Sequence, residues 1–283
     1  MAGRNMTADR TKRISKENID RIYVECDMRQ PDFIMINPHC HPYYELYYIE
    51  DGACRFFIEN NMYDLKSGDF LFIPPQIFHY TRYIYGASKK YSLFFRDGDV
   101  DVRVKQLLPE KQSFFSTPHI FKTPEIYKGQ IGALLQHMFN EEKIADKSSE
   151  PMLYYLFQQL FLLCIRECEF LQELPTDIHT TDSPIVQAAQ FISSRYSEQI
   201  TTADVAAAVG YSPNYLTRKF REAVGVGVHD YLVFIRLQKA AHELVSTKDT
   251  ITEIAFRCGF SDSNYFKDVF KKKYGLTPRA YRK

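Results

Sequence analysis

The 283 residues are enough for two domains, and 36 Lys and Arg against 35 Asp and Glu leave a net charge of only +1, which alone points to no nucleic-acid partner. No stretch supplies the roughly 18 apolar residues of a membrane span, and no basic segment followed by an apolar run opens the chain, so neither a membrane protein nor an exported one is expected. The six cysteines form no Cys-x-x-Cys pair, as expected of reduced thiols in the cytoplasm.

Residues 1–20 are polar and read as a flexible arm. From 21 to 123 short runs rich in Tyr, Phe and Ile (YYELYYI, CRFFIE, DFLFIP, YSLFF) alternate with turn signals at Asp51–Gly52, Asn60–Asn61, Lys66–Ser67–Gly68 and Pro74–Pro75, the pattern of a β sandwich or barrel. Strand alternation places His39, His41, Tyr43, Glu45 and Tyr47 on one face. With His79 they form three imidazoles and one carboxylate, a ligand set suited to Zn, Fe, Mn or Ni.

His39-Cys-His41-Pro-Tyr-Tyr-Glu45 followed by Gly52, and Gly68 followed by Pro74-Pro-Gln-Ile-Phe-His79, resemble the two motifs of cupin barrels. Two positions depart: Gln76 stands for the usual glycine and Tyr83 for the usual asparagine. In cupin enzymes such residues hold a catalytic metal; in regulators that resemble them the barrel often serves as a metal-free effector pocket. The resemblance thus implies effector contact by His39, His41, Tyr43, Glu45, Tyr47 and His79, with a divalent metal on His39, His41, Glu45 and His79 as the alternative. Tyr43, Tyr47, Phe56, Phe72 and Tyr80 either line that pocket or fill the barrel core.

Residues 124–173 change to a helical period, with one stripe at Ile131, Leu134, Leu135 and Met138 and a second at Leu153, Leu156, Phe157, Leu160, Cys164, Cys168 and Leu171. The second stretch is apolar nearly all round, so one side is left for a further partner. Prolines and polar residues at 174–183 read as a linker. Helix 184–196 follows, with Ser183 as N-cap and Pro184 in its first turn.

The remaining residues repeat one unit. Thr201, Val205, Ala206, Gly210, Tyr211 and Ser212 recur 49 positions later as Thr250, Ile254, Ala255, Gly259, Phe260 and Ser261. Tyr215, Phe220, Gly225 and Tyr231 recur 50 positions later as Tyr265, Phe270, Gly275 and Tyr281. Each copy opens on a capping signal (Thr201 with Asp204, Thr250 with Glu253) before a short helix, 203–209 or 252–258. Each then turns at a glycine and starts a second helix near Ser212–Pro213 or Asp262–Ser263.

In the first copy Tyr215, Leu216, Phe220 and Val224 are expected to face inward, leaving Asn214, Thr217, Arg218 and Arg221 outside. A helix over 228–246, roughly 27 Å long, joins the copies. Two helix-turn-helix units on one rod suit two adjacent grooves of a DNA duplex. From residue 176 onward 15 Lys and Arg outnumber 11 Asp and Glu, an excess of +4 concentrated near the C-terminus.

GYSPNYLTRKF, Arg236 and IAFRCGFSDSNYFKDVFKKKYGLTPRAYRK resemble the DNA-binding domain of AraC/XylS-type transcription activators, over about 100 residues. The resemblance implies base reading by Asn214, Thr217 and Arg218 and by Ser263, Asn264 and Lys267, and phosphate contact by Arg221, Lys271, Lys272 and Lys273. Asp268 departs from the pattern, where a basic or neutral contact is expected.

The expected architecture is α+β in two domains: a cupin-like effector barrel with a helical dimerisation hairpin, then an all-α domain with two helix-turn-helix motifs. The expected function is a cytoplasmic, homodimeric transcription activator. Its partners would be double-stranded DNA, a small-molecule effector such as a carbohydrate, and RNA polymerase. The rival readings are a metal-dependent cupin enzyme or metal sensor fused to a DNA-binding domain, and an architectural DNA binder without effector.

Overall fold

The computed structural model describes residues 19, 21–31, 33, 40–58, 60–83, 86–108, 114–170 and 183–282. The expected arm apart from Ile19, His39, Leu171 and the expected linker up to residue 182 lie outside the described residues. The chain divides into two compact units, the first holding most of the residues up to Thr176 and the second Asp177–Lys283 together with the short segment Asn60–Met62.

In the first unit β1 (Tyr23–Arg29), β2 (Tyr44–Asp51), β5 (Asp69–Ile73), β7 (Ser88–Phe95), β8 (His119–Lys122) and β9 (Glu169–Phe170) form one sheet in the order β1-β7-β2-β5-β8-β9. A second sheet has the order β4-β3-β6, from β3 (Ala53–Ile58), β4 (Asn61–Lys66) and β6 (His79–Arg82). The period of two along each strand separates two cores. Leu46, Tyr48, Phe70, Phe72, Leu93 and Phe95 face helices α2 (Glu125–Ile144) and α3 (Ser149–Glu167), against Ile131, Leu135, Met138, Phe157 and Leu160. Tyr47, Ile49, Leu71 and Ile73 face the other way, onto Cys54, Phe56, Ile58, Tyr63 and Leu65 of the smaller sheet. Short helix α1 (Val102–Lys105) closes the helical side through Val104.

This alternation decides between pocket and core for two of the aromatics. Phe72 belongs to the core under the helices. Tyr80, paired across the ladder with Phe57, points to the opposite side of β6 from His79. The two departures from the cupin motif are both accommodated. Gln76 takes φ 65°, the left-handed conformation that a glycine would adopt without strain, while its N–H donates to the His41 carbonyl at 2.8 Å. The Tyr83 hydroxyl is hydrogen-bonded to that of Tyr47.

The second unit is helical. Helix α4 (Pro184–Ser194) has the Ser183 side chain accepting from Ile185 N–H at its N-terminus. Helix α5 (Thr202–Ala208) carries a complete capping box from Thr201 and Asp204, and α6 (Pro213–Val224) is capped by Ser212. Helix α7 (Val228–Ser246) is the connecting rod, 19 residues or about 28 Å. Helix α8 (Ile251–Arg257) repeats the box with Thr250 and Glu253, α9 (Ser263–Tyr274) is capped by Asp262, and α10 (Pro278–Tyr281) closes the chain. Among the described residues no helix is long and apolar enough to cross a membrane.

The two turns of the repeat are not equivalent. Gly210 has φ 70° and open space where a Cβ would stand. Gly259 has φ 88°, and a Cβ there would lie 2.5 Å from the Tyr196 carbonyl oxygen and 2.8 Å from Arg236 Nε. Gly210→Ala is therefore expected to cost about 1 kcal/mol, the left-handed penalty alone. Gly259→Ala is expected to cost about 3 kcal/mol or more, because backbone must move. Urea unfolding followed by helical circular dichroism checks the order; equal costs would contradict the close approach at Gly259.

Candidate functional site

Helices α6 and α9 present matching polar faces. On α6, Leu216, Phe220 and Val224 are buried, while Asn214, Thr217, Arg218 and Arg221 are exposed. Tyr215, expected in the core, is instead 40% exposed, as is its counterpart Tyr265 at 44%. Its ring meets Tyr211 edge-on at 4.8 Å and lies beneath the Arg218 guanidinium at 5.3 Å. The periodic spacing allowed Tyr215 either side of the stripe, and the wholly apolar Leu216, Phe220 and Val224 took the inner positions. Arg218 lies 3.8 Å from Glu222, a loose surface pair of small energetic value that leaves the guanidinium available. The Thr217 hydroxyl donates to the Pro213 carbonyl at 2.8 Å, leaving its oxygen free to accept.

On α9, Phe266 and Phe270 are buried and Asn264, Lys267, Asp268, Lys271 and Lys272 are exposed, with Ser263 half-buried. The Lys267 ammonium donates to the Asn264 side-chain oxygen at 3.3 Å, so these two residues present one joined surface. Lys273 lies over the Phe234 ring at 4.4 Å, which holds its charge near α7.

Arg236 of α7 joins the modules. It is 8% exposed. Its Nε donates to the Tyr196 carbonyl at 2.8 Å and its Nη2 to the Glu198 carbonyl at 2.7 Å. Gln199 adds a bond to the Gly259 carbonyl at 2.9 Å. A planar fork reaches both carbonyls at once, which an ammonium cannot.

The second site lies between the sheets of the first unit. Cross-strand register places Asp27 opposite Lys90, Glu25 opposite Ser92, and Tyr23 opposite Phe94. It also places Lys90, Ser92 and Phe94 opposite Ile49, Tyr47 and Glu45. Directly paired residues share a face, so one polar band crosses β1, β7 and β2. Lys90 is buried, donating to Ser92 Oγ at 2.9 Å and lying 3.1 Å from Asp27 and 5.4 Å from the Tyr47 ring centroid. Burial disfavours its charge, but Asp27, Glu25 and Tyr83 outweigh that and raise its pKa. Burial likewise raises Glu25, while for Asp27 the charges of Lys90 and Arg29 prevail over burial and lower it.

At one end of the band stand His41, Glu45 and His79, all buried. His41 Nε2 is 3.1 Å and His79 Nε2 3.6 Å from Glu45 Oε2. Burial would raise the Glu45 carboxyl, yet the His41 hydrogen bond and the charges of His41, His79 and Lys90 hold it at about 2. Tyr43, 2% exposed, has its hydroxyl accepting from Ile19 N–H at 3.0 Å and packs with Ile19 and Phe94. The band brings together His41, Glu45, Tyr47 and His79 of the expected set. Glu25, Asp27, Lys90, Ser92 and Thr81 were missed. The alternation of Lys90, Ser92 and Phe94 in SKKYSLFF held the signal, masked by the apolar run that dominates it.

A family model described as an AraC-like ligand binding domain matches residues 27–101, and one described as a helix-turn-helix domain matches residues 205–283, together more than half of the chain. The chain belongs to the AraC-type transcription regulators. The HTH-type transcriptional activator RhaS of Klebsiella pneumoniae (strain 342) is 26% identical over 273 residues, covering 94% of each chain. Among solved structures, the C-terminal domain of AraT, a response regulator from Geobacillus stearothermophilus, is 37% identical over 35% of this chain and 84% of its own, with a TM-score of 0.35. Unsaturated fatty acid bound ToxT from Vibrio cholerae strain SCE256 is 16% identical over 94% of this chain and 96% of its own, with a TM-score of 0.36. As an AraC-type regulator the protein pairs a β-rich ligand-binding domain with a helical DNA-binding domain.

Proposed function

We propose that this regulator is a cytoplasmic homodimeric activator that reads DNA with both modules, responds to a small-molecule effector held between its sheets, and contacts RNA polymerase. The observation that carries DNA reading is the pair of exposed polar faces on α6 and α9, each backed by a buried aromatic core. Asn214, Thr217 and Arg218 read bases in one major-groove segment, and Ser263, Asn264 and Lys267 read the next. Arg221, Lys271, Lys272 and Lys273 bind phosphates and supply affinity without sequence information.

The buried polar band supports effector binding, with His41, Glu45, Tyr47 and His79 as contacts and Lys90 and Ser92 as additional donors. Alternating donors and acceptors beside tyrosine rings suit a carbohydrate or another small hydroxylated metabolite. Such an effector acts only by binding two arrangements of the protein with different affinity. On α3, Met152 and Tyr155 are exposed while Leu162 and Leu163 are only half-buried, a lateral apolar strip suited to a second copy. The relatives are named as transcription activators, which favours regulation over the enzyme reading.

Arg218→Ala is expected to weaken binding to the preferred site by about 1–3 kcal/mol and to relax selectivity at one base pair. Lys271→Ala is expected to weaken all sequences alike and lower the salt slope by about one phosphate. Fluorescence anisotropy on matched and singly mismatched duplexes checks both, and equal loss on all duplexes for Arg218→Ala contradicts its base-reading role. Sedimentation velocity with DNA titrations, with and without each member of a sugar panel, checks the rest. A species of twice 33.2 kDa whose DNA affinity shifts with one sugar is expected; a 33.2 kDa monomer indifferent to every sugar contradicts both dimer and carbohydrate.

A further inference from the structure

One buried hydroxyl between the two sheets has nothing to bond to. Thr81 is 1% exposed, and its Oγ1 has no hydrogen-bond partner. A polar group buried without a partner costs stability, so its presence calls for a reason. Its surroundings follow from register. Thr81 pairs with Phe56 across β3 and β6, so the two share a face, and the Phe56 ring meets that of Tyr47 edge-on at 4.8 Å. Two residues before Thr81, His79 reaches Glu45; two residues after it, Tyr83 reaches the Tyr47 hydroxyl. Thr81 thus stands between these contacts, facing the row in which Tyr47 pairs with Ser92 and Ser92 with Glu25.

That row holds two more polar groups with bonds to spare. Ser92, 0% exposed, accepts from the Lys90 ammonium at 2.9 Å, and among the described residues its own O–H has no acceptor. Glu25 accepts one hydrogen bond among the described residues, from the Tyr23 hydroxyl at 3.3 Å. A donor, a group that can do either and an acceptor therefore share one interior. Adjacent hydroxyls match that set, since each both gives and takes a bond. The same interior is unsuited to an anion. Lys90, its buried ammonium, is held by Asp27 at 3.1 Å, and Arg29 lies 2.8 Å from the same carboxylate. Burial raises the Glu25 carboxyl; Lys90 opposes that, while Asp27 and Glu45 add to it. A carboxylate or phosphate brought here would meet Glu25, Asp27 and Glu45 with Lys90 and Arg29 already paired, which is costly.

We propose that Thr81, Ser92 and Glu25 form the subsite that recognises the effector, and that the effector is a neutral polyhydroxylated compound, with sugar acids excluded. The proposal rests on the sheet interior being the effector site and adds the residues that decide which ligand is admitted.

The test uses the full-length protein. Without any ligand, Thr81→Val is expected to raise the melting temperature by about 2–4 °C, because it removes the unpaired hydroxyl while keeping the side chain's shape. An unchanged or lower melting temperature, the result for a hydroxyl with a structural partner, overturns the proposal. Calorimetric titration then compares D-glucose, D-galactose, D-mannose, L-arabinose and D-xylose with D-glucuronate and D-galacturonate. At least one neutral sugar is expected to bind, and both acids at least about tenfold more weakly. Thr81→Val and Glu25→Ala, each checked for native circular dichroism, are expected to lose at least about tenfold in affinity for that sugar, the worth of one hydrogen bond. A uronic acid bound as tightly as any neutral sugar, or a sugar bound undiminished by Thr81→Val, overturns the subsite and leaves the effector reading standing. No binding of any compound by the unaltered protein overturns both.

Discussion

The guanidinium of Arg236 donates to the carbonyls of Tyr196 and Glu198 while the Gly259 turn lies against the same backbone. The end of the first helix of the DNA-binding unit, the connecting rod and the second turn therefore meet at one point. Two charge-assisted hydrogen bonds in a largely buried place contribute on the order of 1.5–3 kcal/mol each. Their larger consequence is geometric. A rod alone would fix the distance between the modules, and the joint at Arg236 also fixes rotation about it. Two recognition helices can share one face of a duplex only if both quantities are set.

On that frame the copies of the repeat have diverged in chemistry. Helix α6 offers an arginine, a threonine and an asparagine, groups whose hydrogen-bonding patterns separate one base from another. Helix α9 places Lys267 against Asn264, keeps Asp268 exposed and ends in three lysines, one of them seated on Phe234. Charge near phosphate gives affinity that falls with salt and carries no sequence information. The fold repeats, while the side chains that each copy exposes differ. The β-rich unit follows another logic, with apolar contacts on one face of its larger sheet and a polar band, dense in buried charge, on the other. Groups so costly to bury persist only where partners hold them, as Asp27 and Ser92 hold Lys90.

Most of the helical unit could be read from the chain because its signals are local. Thr201 with Asp204, Thr250 with Glu253, Ser212 before Pro213 and the turn glycines each fix a boundary within a few residues, and the connecting helix runs over 228–246 as its spacing indicated. Tyr215 escaped because an aromatic at the border of an apolar stripe packs equally well half out. In the β unit, alternation along β2 put Glu45 and Tyr47 on one face, but residue type alone left Phe72 and Tyr80 open between pocket and core, and their strands turn them away from the His79 face. Lys90, Glu25 and Asp27 meet through register between β1 and β7, strands more than sixty residues apart, and no local pattern encodes that pairing. The His41, Glu45 and His79 grouping was legible because two motifs carried it; the approach of both Nε2 atoms to Glu45 Oε2, at 3.1 and 3.6 Å, needed the structure.

Two unequal readers held at fixed spacing would leave two unequal marks on the DNA they select. Selection of random duplexes by the full-length protein, followed by sequencing, measures this with no target site assumed. Two blocks of preferred bases centred about 10–10.5 base pairs apart are expected for each bound chain, one helical turn, with the block read by α6 the more constrained. A single block, two blocks at variable spacing, or enrichment for charge density without preferred bases would contradict it.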